Sequence, residues 1–170
     1  LPVMPGARGR FFSSLCHRLA VGNSRVFVKN GFRESPNTAV HILLDSSGSM
    51  TDSGLMLANA VCYAVGKALQ GIPGVNLSIT AFPGANRAKR GATVVPVLRH
   101  GEKLTARFPE VAYGMTPMAE SLWWVMQQMY FLRESRKIIL IITDGEPDSI
   151  PAAQEAFKQA QKKGFECCGL

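Results

Sequence analysis

The chain has 170 residues, 46% of them hydrophobic, which is enough apolar mass for one sizeable core and one domain of ordinary size. No apolar run is long enough to span a bilayer, since the longest, Ile138 to Ile142, is only a strand's length, and no repeat, Ser/Gly-rich linker or low-complexity stretch divides the chain. The formal charge of +7 is concentrated at the start: Arg8, Arg10, Arg18, Arg25, Lys29 and Arg33 all precede the first acid, Glu34, and the remainder is close to neutral.

Residues 1–37 read as a basic N-terminal extension and residues 38–170 as the main domain. A basic lead-in implies a solvated or partner-facing arm, with nucleic-acid contact as the sharper alternative. Its arginines are not followed by a continuous apolar segment and a small-residue cleavage site, so no signal peptide is expected. Phe11, Phe12, Leu15 and Leu19 recur at helical spacing and predict a short amphipathic helix, and Arg25 to Lys29 alternates like an exposed strand.

Val40 to Leu44 is a nearly unbroken apolar run with a β-branched bias, the pattern of a strand buried on both faces at the centre of a parallel sheet. It stops on Asp45-Ser46-Ser47-Gly48-Ser49-Met50, a polar loop at the strand's carboxyl end, where open α/β sheets place their ligands. Asp45, Ser47 and Ser49 alternate, so one carboxylate and two hydroxyls can turn toward one point while Gly48 lets the backbone bend. Such oxygen donors suit a small hard cation, Mg²⁺ first and Mn²⁺ or Ca²⁺ behind it.

Ser53 to Gln70 then carries Leu55, Leu57, Ala58, Val61, Cys62, Val65 and Leu69 on one wide apolar face and stops at Gly71, a crossover helix. Val75 to Phe82 alternates as the next strand. The basic, glycine-bounded loop Pro83 to Gly91 leads into Thr93 to Leu98, whose internal Pro96 suits an edge strand. His100 to Val111 is mixed and predicts a short helix with loops. Pro117 to Arg133 is a long helix whose Met118, Leu122, Trp123, Val125, Met126, Met129 and Phe131 read as core, although neighbouring Trp123 and Trp124 cannot share one helix face. Lys137 to Ile142 is a second buried strand ending on Thr143-Asp144-Gly145-Glu146-Pro147-Asp148; a helix over Ile150 to Lys163 and a strand from Phe165 follow.

The pattern Asp45-x-Ser47-x-Ser49, then Gly114-x-Thr116-Pro117, then Thr143-Asp144-Gly145, each in its strand or loop and in this order, resembles a von Willebrand factor type A (VWA) domain with an intact metal-ion-dependent adhesion site, over roughly Thr38 to Leu170. One departure is Gly114-Met115 where that family often has Gly-Gly. The resemblance implies an α/β, doubly wound, mostly parallel central sheet with helices on both faces and one antiparallel edge strand. It also implies that the chain stops before a further strand and helices. Ser47, Ser49 and Thr116 would supply hydroxyl oxygens to the metal, with Asp45 and Asp144 bound directly or through water. Two carboxylates only neutralise a divalent cation, so a partner's Asp or Glu can complete its coordination.

Blander readings exist for these residues: Ser47 and Ser49 could cap the next helix, and Asp144 could fix a turn with Gly145. Glu146 and Asp148 read as solvent-facing turn residues, with tuning of the field near the metal as the alternative. His17, His41 and His100 are scattered, with no Cys or acid at zinc spacing, so no histidine metal site is expected. Cys16, Cys62, Cys167 and Cys168 lack a Cys-x-x-Cys spacing; Cys62, in a predicted helix, and Cys167-Cys168, in a predicted strand, read as buried reduced thiols, which favours a cytoplasmic setting. No nucleophile elbow surrounds Ser47 and no general base is evident, so no catalytic residue is named, and a metal-dependent hydrolase is the weaker reading. The resemblance implies an intracellular, Mg²⁺-dependent protein-interaction module, at most a non-catalytic subunit of an enzyme. Within the family such domains often work beside AAA+ ATPases, including metal chelatases. The Thr38-Ala39-Val40 and Ser24-Arg25-Val26-Phe27 segments are similar to CobT-type cobaltochelatase subunits of cobalamin biosynthesis. A nucleic-acid-associated protein, using the arm and the Arg87-Ala88-Lys89-Arg90 loop, is the alternative.

Overall fold

A computed structural model of the chain describes residues 36–84, 94–105 and 107–170 in full, and the strand backbones of 3–6, 10–11 and 27–30. The chain falls into two compact units, Leu1–Ser35 and Pro36–Leu170. In the first, β1 (Val3–Gly6), β2 (Arg10–Phe11) and β3 (Phe27–Asn30) form an antiparallel sheet in the order β1-β3-β2. The strand expected over Arg25 to Lys29 is present from Phe27 as β3, and Phe11, where a helix is expected to begin, ends β2; the rest of that helix, Arg25 and Val26, the basic loop around Arg87 to Arg90, Cys16 and His17 lie outside the described residues.

The second unit is built on β4 (Thr38–Asp45), β5 (Val75–Phe82), β6 (Val95–Leu98), β7 (Arg136–Ile142) and β8 (Phe165–Gly169), in the order β6-β5-β4-β7-β8. All neighbours pair in parallel except β6, which runs antiparallel at the edge with a register shift between Ile79 and Thr80. Pro96 has no amide hydrogen to donate, and an edge beside an irregularity is where that loss costs least. β4 is central and all eight of its residues are buried, as its continuous apolar run predicts.

The helices α1 (Thr51–Gln70), α2 (Met118–Tyr130) and α3 (Ile150–Lys162) connect these strands. Successive β4 side chains feed two cores. Val40, Ile42 and Leu44 pack with Leu55, Ala58 and Cys62 of α1, whereas Ala39 and Leu43 pack with Leu122, Val125 and Met129 of α2 and Ala156 and Ala160 of α3. With helices on both faces of a mostly parallel sheet, this is the doubly wound α/β class expected from the sequence. Ser149 caps α3 by accepting from Ala152 N at 3.4 Å, and Gly164, at φ +81°, turns the chain into β8.

Several local expectations are corrected. Among the described residues no helix forms between His100 and Val111. The chain closes a turn in which Glu102 N donates to Arg99 O at 3.1 Å, and is then held by α1: Gln70 Nε2 donates to Glu102 O (2.8 Å), Gln70 Oε1 accepts from Leu104 N (3.2 Å), and Asn59 Nδ2 donates to Pro109 O (2.7 Å). Side chains thus satisfy backbone groups that a helix would have paired internally. Leu57 and Val61 on α1 are exposed, because the contact with the sheet is narrower than their apolar stripe; Phe131 lies past the end of α2 and is 86% exposed. Trp124 is half-buried against the core and Trp123 faces out. Cys62 is buried and Cys167 half-buried, but Cys168 is exposed, since alternate residues of an edge strand point to opposite faces. No helix among the described residues is long and apolar enough to cross a membrane.

Candidate metal centre

The carboxyl ends of β4 and β7 lie side by side, with Leu44 paired to Ile142, so the loops that follow them share one space. Asp45 ends β4 with no exposed surface, a costly place for a carboxylate unless donors meet it. Ser47 N donates to Oδ1 at 2.8 Å and Thr143 Oγ1 donates to Oδ2 at 2.5 Å, short as charge-assisted bonds are. Asp45 is therefore the buried anchor that ties the first loop to the second. The same threonine accepts from Gly145 N at 3.2 Å, bending the β7 loop back over the strand end.

Beyond Asp45 the chain turns through a short 3-10 helix, Gly48–Met50, before α1. Neither Ser47 nor Ser49 makes a capping bond, and the turn at Gly145 is held by Thr143. The blander readings of the serines and of Asp144 are therefore not what these side chains do. Ser47 Oγ lies 2.9 Å from Ser49 Oγ, and Ser49 donates to Asp144 Oδ1 at 3.0 Å, so the two hydroxyl protons run in series toward Asp144. Thr51, which starts α1, has φ +52° and ψ 165°, a region that disfavours a β-branched residue and costs about 1–3 kcal/mol where it persists.

The third loop is locked to the first through its backbone. Gly48 N donates to Gly114 O (3.0 Å) and Tyr113 N to Ser46 O (2.8 Å), while Gly114 takes φ +81°. A methyl group at Gly48 would lie in van der Waals contact with Gly114 O at 3.4 Å, so the two loops leave little room between them. This brings Thr116 into the cluster. A methyl group at Gly145 would sit 3.2 Å from Ser49 Oγ and 3.9 Å from Thr116 Oγ1, so both hydroxyls border the space that this glycine leaves free. Asp148 fixes the same threonine: its Oδ1 accepts from Thr116 N (2.7 Å) and its N donates to Thr116 O (3.0 Å).

All five residues expected at the site, Asp45, Ser47, Ser49, Thr116 and Asp144, thus lie around one small space. Asp45, Ser47 and Thr116 are buried; Ser49 and Asp144 are exposed. Thr143 and Asp148 complete the arrangement: the sequence names Thr143 only as part of the Thr143-Asp144-Gly145 pattern, and Asp148, which reads there as a solvent-facing turn residue, is exposed but spends one carboxylate oxygen on Thr116 N. Among the described residues no three His, Cys, Asp or Glu converge, so the donor set is of hydroxyls and carboxylates alone. That all-oxygen set, with a glycine leaving room beside two hydroxyls, fits a hard divalent cation and is a poor match to a soft one.

No protein-family model matches the sequence, and no curated protein matches it by sequence. By structure, the second unit has the VWA fold: a five-stranded, mostly parallel sheet with one antiparallel edge between helices. Among solved structures the chain is similar to the manganese-loaded TRAP protein of Plasmodium vivax, at 17% identity and a TM-score of 0.59, over 80% of this chain and 58% of that one. It is similar also to the pilus adhesin SpaC of Lactobacillus rhamnosus GG in its open conformation (14%, TM-score 0.67, 81% of this chain and 24% of that one). A third is the vWF domain of the type V pili tip protein Mfa5 from Porphyromonas gingivalis (15%, TM-score 0.53, 68% and 40%). The chain spans less than two thirds of the length of each.

Proposed function

We propose that this chain is a metal-ion-dependent protein-interaction module that binds a carboxylate of its partner through a divalent cation held by Ser47, Ser49 and Thr116, with Asp45 and Asp144. The observation that carries the reading is the convergence of three loops, from β4, from the segment before α2 and from β7, on the space beside Gly145. A bound Mg²⁺, Mn²⁺ or Ca²⁺ supplies positive charge and an open coordination position for an incoming Asp or Glu. Asp45 orients Ser47 through its backbone amide, and Asp148 holds the Thr116 loop. Ser49 and Asp144 lie on the solvent side, and exposed Tyr113 and Met115 (72%) flank Gly114, offering apolar area to a partner that the charge alone would not select. The fold likeness to a manganese-loaded protein and to adhesins supports the same reading.

The narrower form of the proposal, a cytoplasmic subunit working beside an AAA+ ATPase as in cobaltochelatases, rests on the Thr38-Ala39-Val40 resemblance and on the free thiols; co-purification with such an ATPase tests it. The module itself is tested by thermal unfolding in EDTA and then with each cation, for the wild type and for Asp45→Ala combined with Ser47→Ala. A cation that binds only the folded state adds about 2.7 kcal/mol at a hundred times its dissociation constant. A shift in the wild type that the double variant lacks is expected; no shift in either at millimolar concentration removes the proposal.

A further inference from the structure

On the sheet face covered by α2, the structure brings together two imidazoles that lie far apart in the sequence. His41, in the middle of β4, and His100, in the turn after β6, have ring centroids 5.5 Å apart at an interplanar angle of 65°. Each ring uses one nitrogen. His41 Nε2 is 2.8 Å from Thr80 Oγ1, and His100 Nδ1 is 3.3 Å from Asn76 Oδ1. The Asn76 amide is oriented by two further bonds, Gly101 N donating to its Oδ1 at 3.0 Å and its Nδ2 donating to Glu134 Oε1 at 2.7 Å. His100 Nδ1 therefore carries the proton, and its Nε2 presents a bare lone pair. The other two nitrogens, His41 Nδ1 and His100 Nε2, are buried with no partner. His41 itself is 1% exposed, and Trp124 stands edge-on to it at 6.3 Å.

We propose that His41 Nδ1 and His100 Nε2 are two ligands of a borderline transition-metal dication, of which Zn²⁺ is the representative, distinct from the oxygen-lined centre. With a metal–nitrogen bond of about 2.0 Å and each nitrogen about 1.1 Å from its ring centre, two imidazoles on one ion have centroids about 5.1 Å apart at a tetrahedral angle and about 5.4 Å at a trigonal one. The observed 5.5 Å matches that spacing. Both nitrogens are buried with no hydrogen-bond partner, and both rings line one cavity, so each is left with a lone pair that nothing on the protein meets. The outer bonds are those that orient ligating histidines, with the second ring nitrogen held by a fixed polar group. Burial also leaves no proton to displace. The His41 imidazole is pushed down to about 3 by desolvation first and by His100 second, and His100 is lowered by desolvation against the opposing pull of Asn76 and Glu134. An adjoining cavity of about 220 Å³, lined also by Ser78, Arg99 and Gln128, has room for the remaining ligands. The Arg99 guanidinium there favours an anion, such as hydroxide or chloride, as one of them.

The test is titration of the metal-free chain with Co²⁺ and with Zn²⁺. Asp45→Ala should bind one ion, and both it and the wild type should develop the intense visible absorption of four-coordinate Co²⁺. His100→Ala, which alters a half-exposed turn, and His41→Gln, which keeps a partner for Thr80, should each weaken binding at least 100-fold. Asn76→Leu should weaken it about 10–100-fold, as loss of an outer-shell partner does. Mg²⁺-dependent stabilisation should persist in His100→Ala, which separates this site from the oxygen-lined one. Absence of the cobalt absorption in the wild type, or a spectrum and affinity unchanged in both histidine variants, overturns the proposal.

Discussion

Acidification should weaken the fold through His41, and the size of the effect follows from its burial. In the unfolded chain this imidazole takes its ordinary value near 6.5, whereas in the folded chain it is pushed down to about 3. Between those values the unfolded state binds a proton that the folded state excludes, so stability is full above about pH 6.5 and falls as the pH drops toward 3. At pH 4.5 the loss is two units at about 1.36 kcal/mol each, and at pH 7 it is nearly nil, so the net loss is about 2–3 kcal/mol. That corresponds to about 5–10 °C in Tm for a chain of this size. Urea unfolding in EDTA at both pH values, for the wild type and His41→Gln, isolates this contribution, because the other titrating groups are common to both. The wild type should lose about 2–3 kcal/mol more than the variant. Equal losses would refute the argument that His41 is held neutral by its burial.

The remaining predictions concern the oxygen-lined centre and the thiols. Thr143→Val removes one of the two donors to the fully buried Asp45 and should destabilise the metal-free protein by about 1.5–3 kcal/mol in equilibrium unfolding; no loss would mean that Asp45 does not depend on this bond. Gly145→Ala places a methyl 3.2 Å from Ser49 Oγ at a backbone conformation that alanine can adopt. Stability without metal should change by less than about 1 kcal/mol, while calorimetric Mg²⁺ affinity falls about 10-fold, the opposite pattern to a core mutation. Alkylation at pH 8, followed by mass spectrometry, should modify exposed Cys168 first. Cys167 should follow, its thiol raised by desolvation and then by Cys168, and Cys62, pushed up to about 12 by burial, should react only on unfolding.

Much of this protein was legible in the sequence because its signals are local. Val40 to Leu44 and Ile138 to Ile142 are apolar without alternation, which only a doubly covered strand tolerates, and each ends on an acid with a small residue nearby. Strand, loop and helix follow one another along the chain, so the order of elements and the position of the polar loops could be read in one dimension. The five oxygen-bearing residues could likewise be named, since Asp45, Ser47 and Ser49 alternate on one loop and the resemblance supplied Thr116 and Asp144.

What the tertiary structure alone decided depends on pairing between distant segments. Thr143 reaches Asp45 only because β7 lies parallel to β4 in a register that ends both strands together. Asp148 meets Thr116 only because the β7 loop folds back over the start of α2. The segment after His100 is held as a turn and extended chain by Gln70 and Asn59 of α1, and no periodicity within it records those partners. His41 and His100 read as unrelated residues, one in a strand and one in a turn. Antiparallel pairing of β6 beside β5, next to β4, brings their rings together, and burial leaves a nitrogen of each without a partner. Burial and hydrogen-bond satisfaction are properties of the assembled sheet, and for that reason they could not be read from the order of residues.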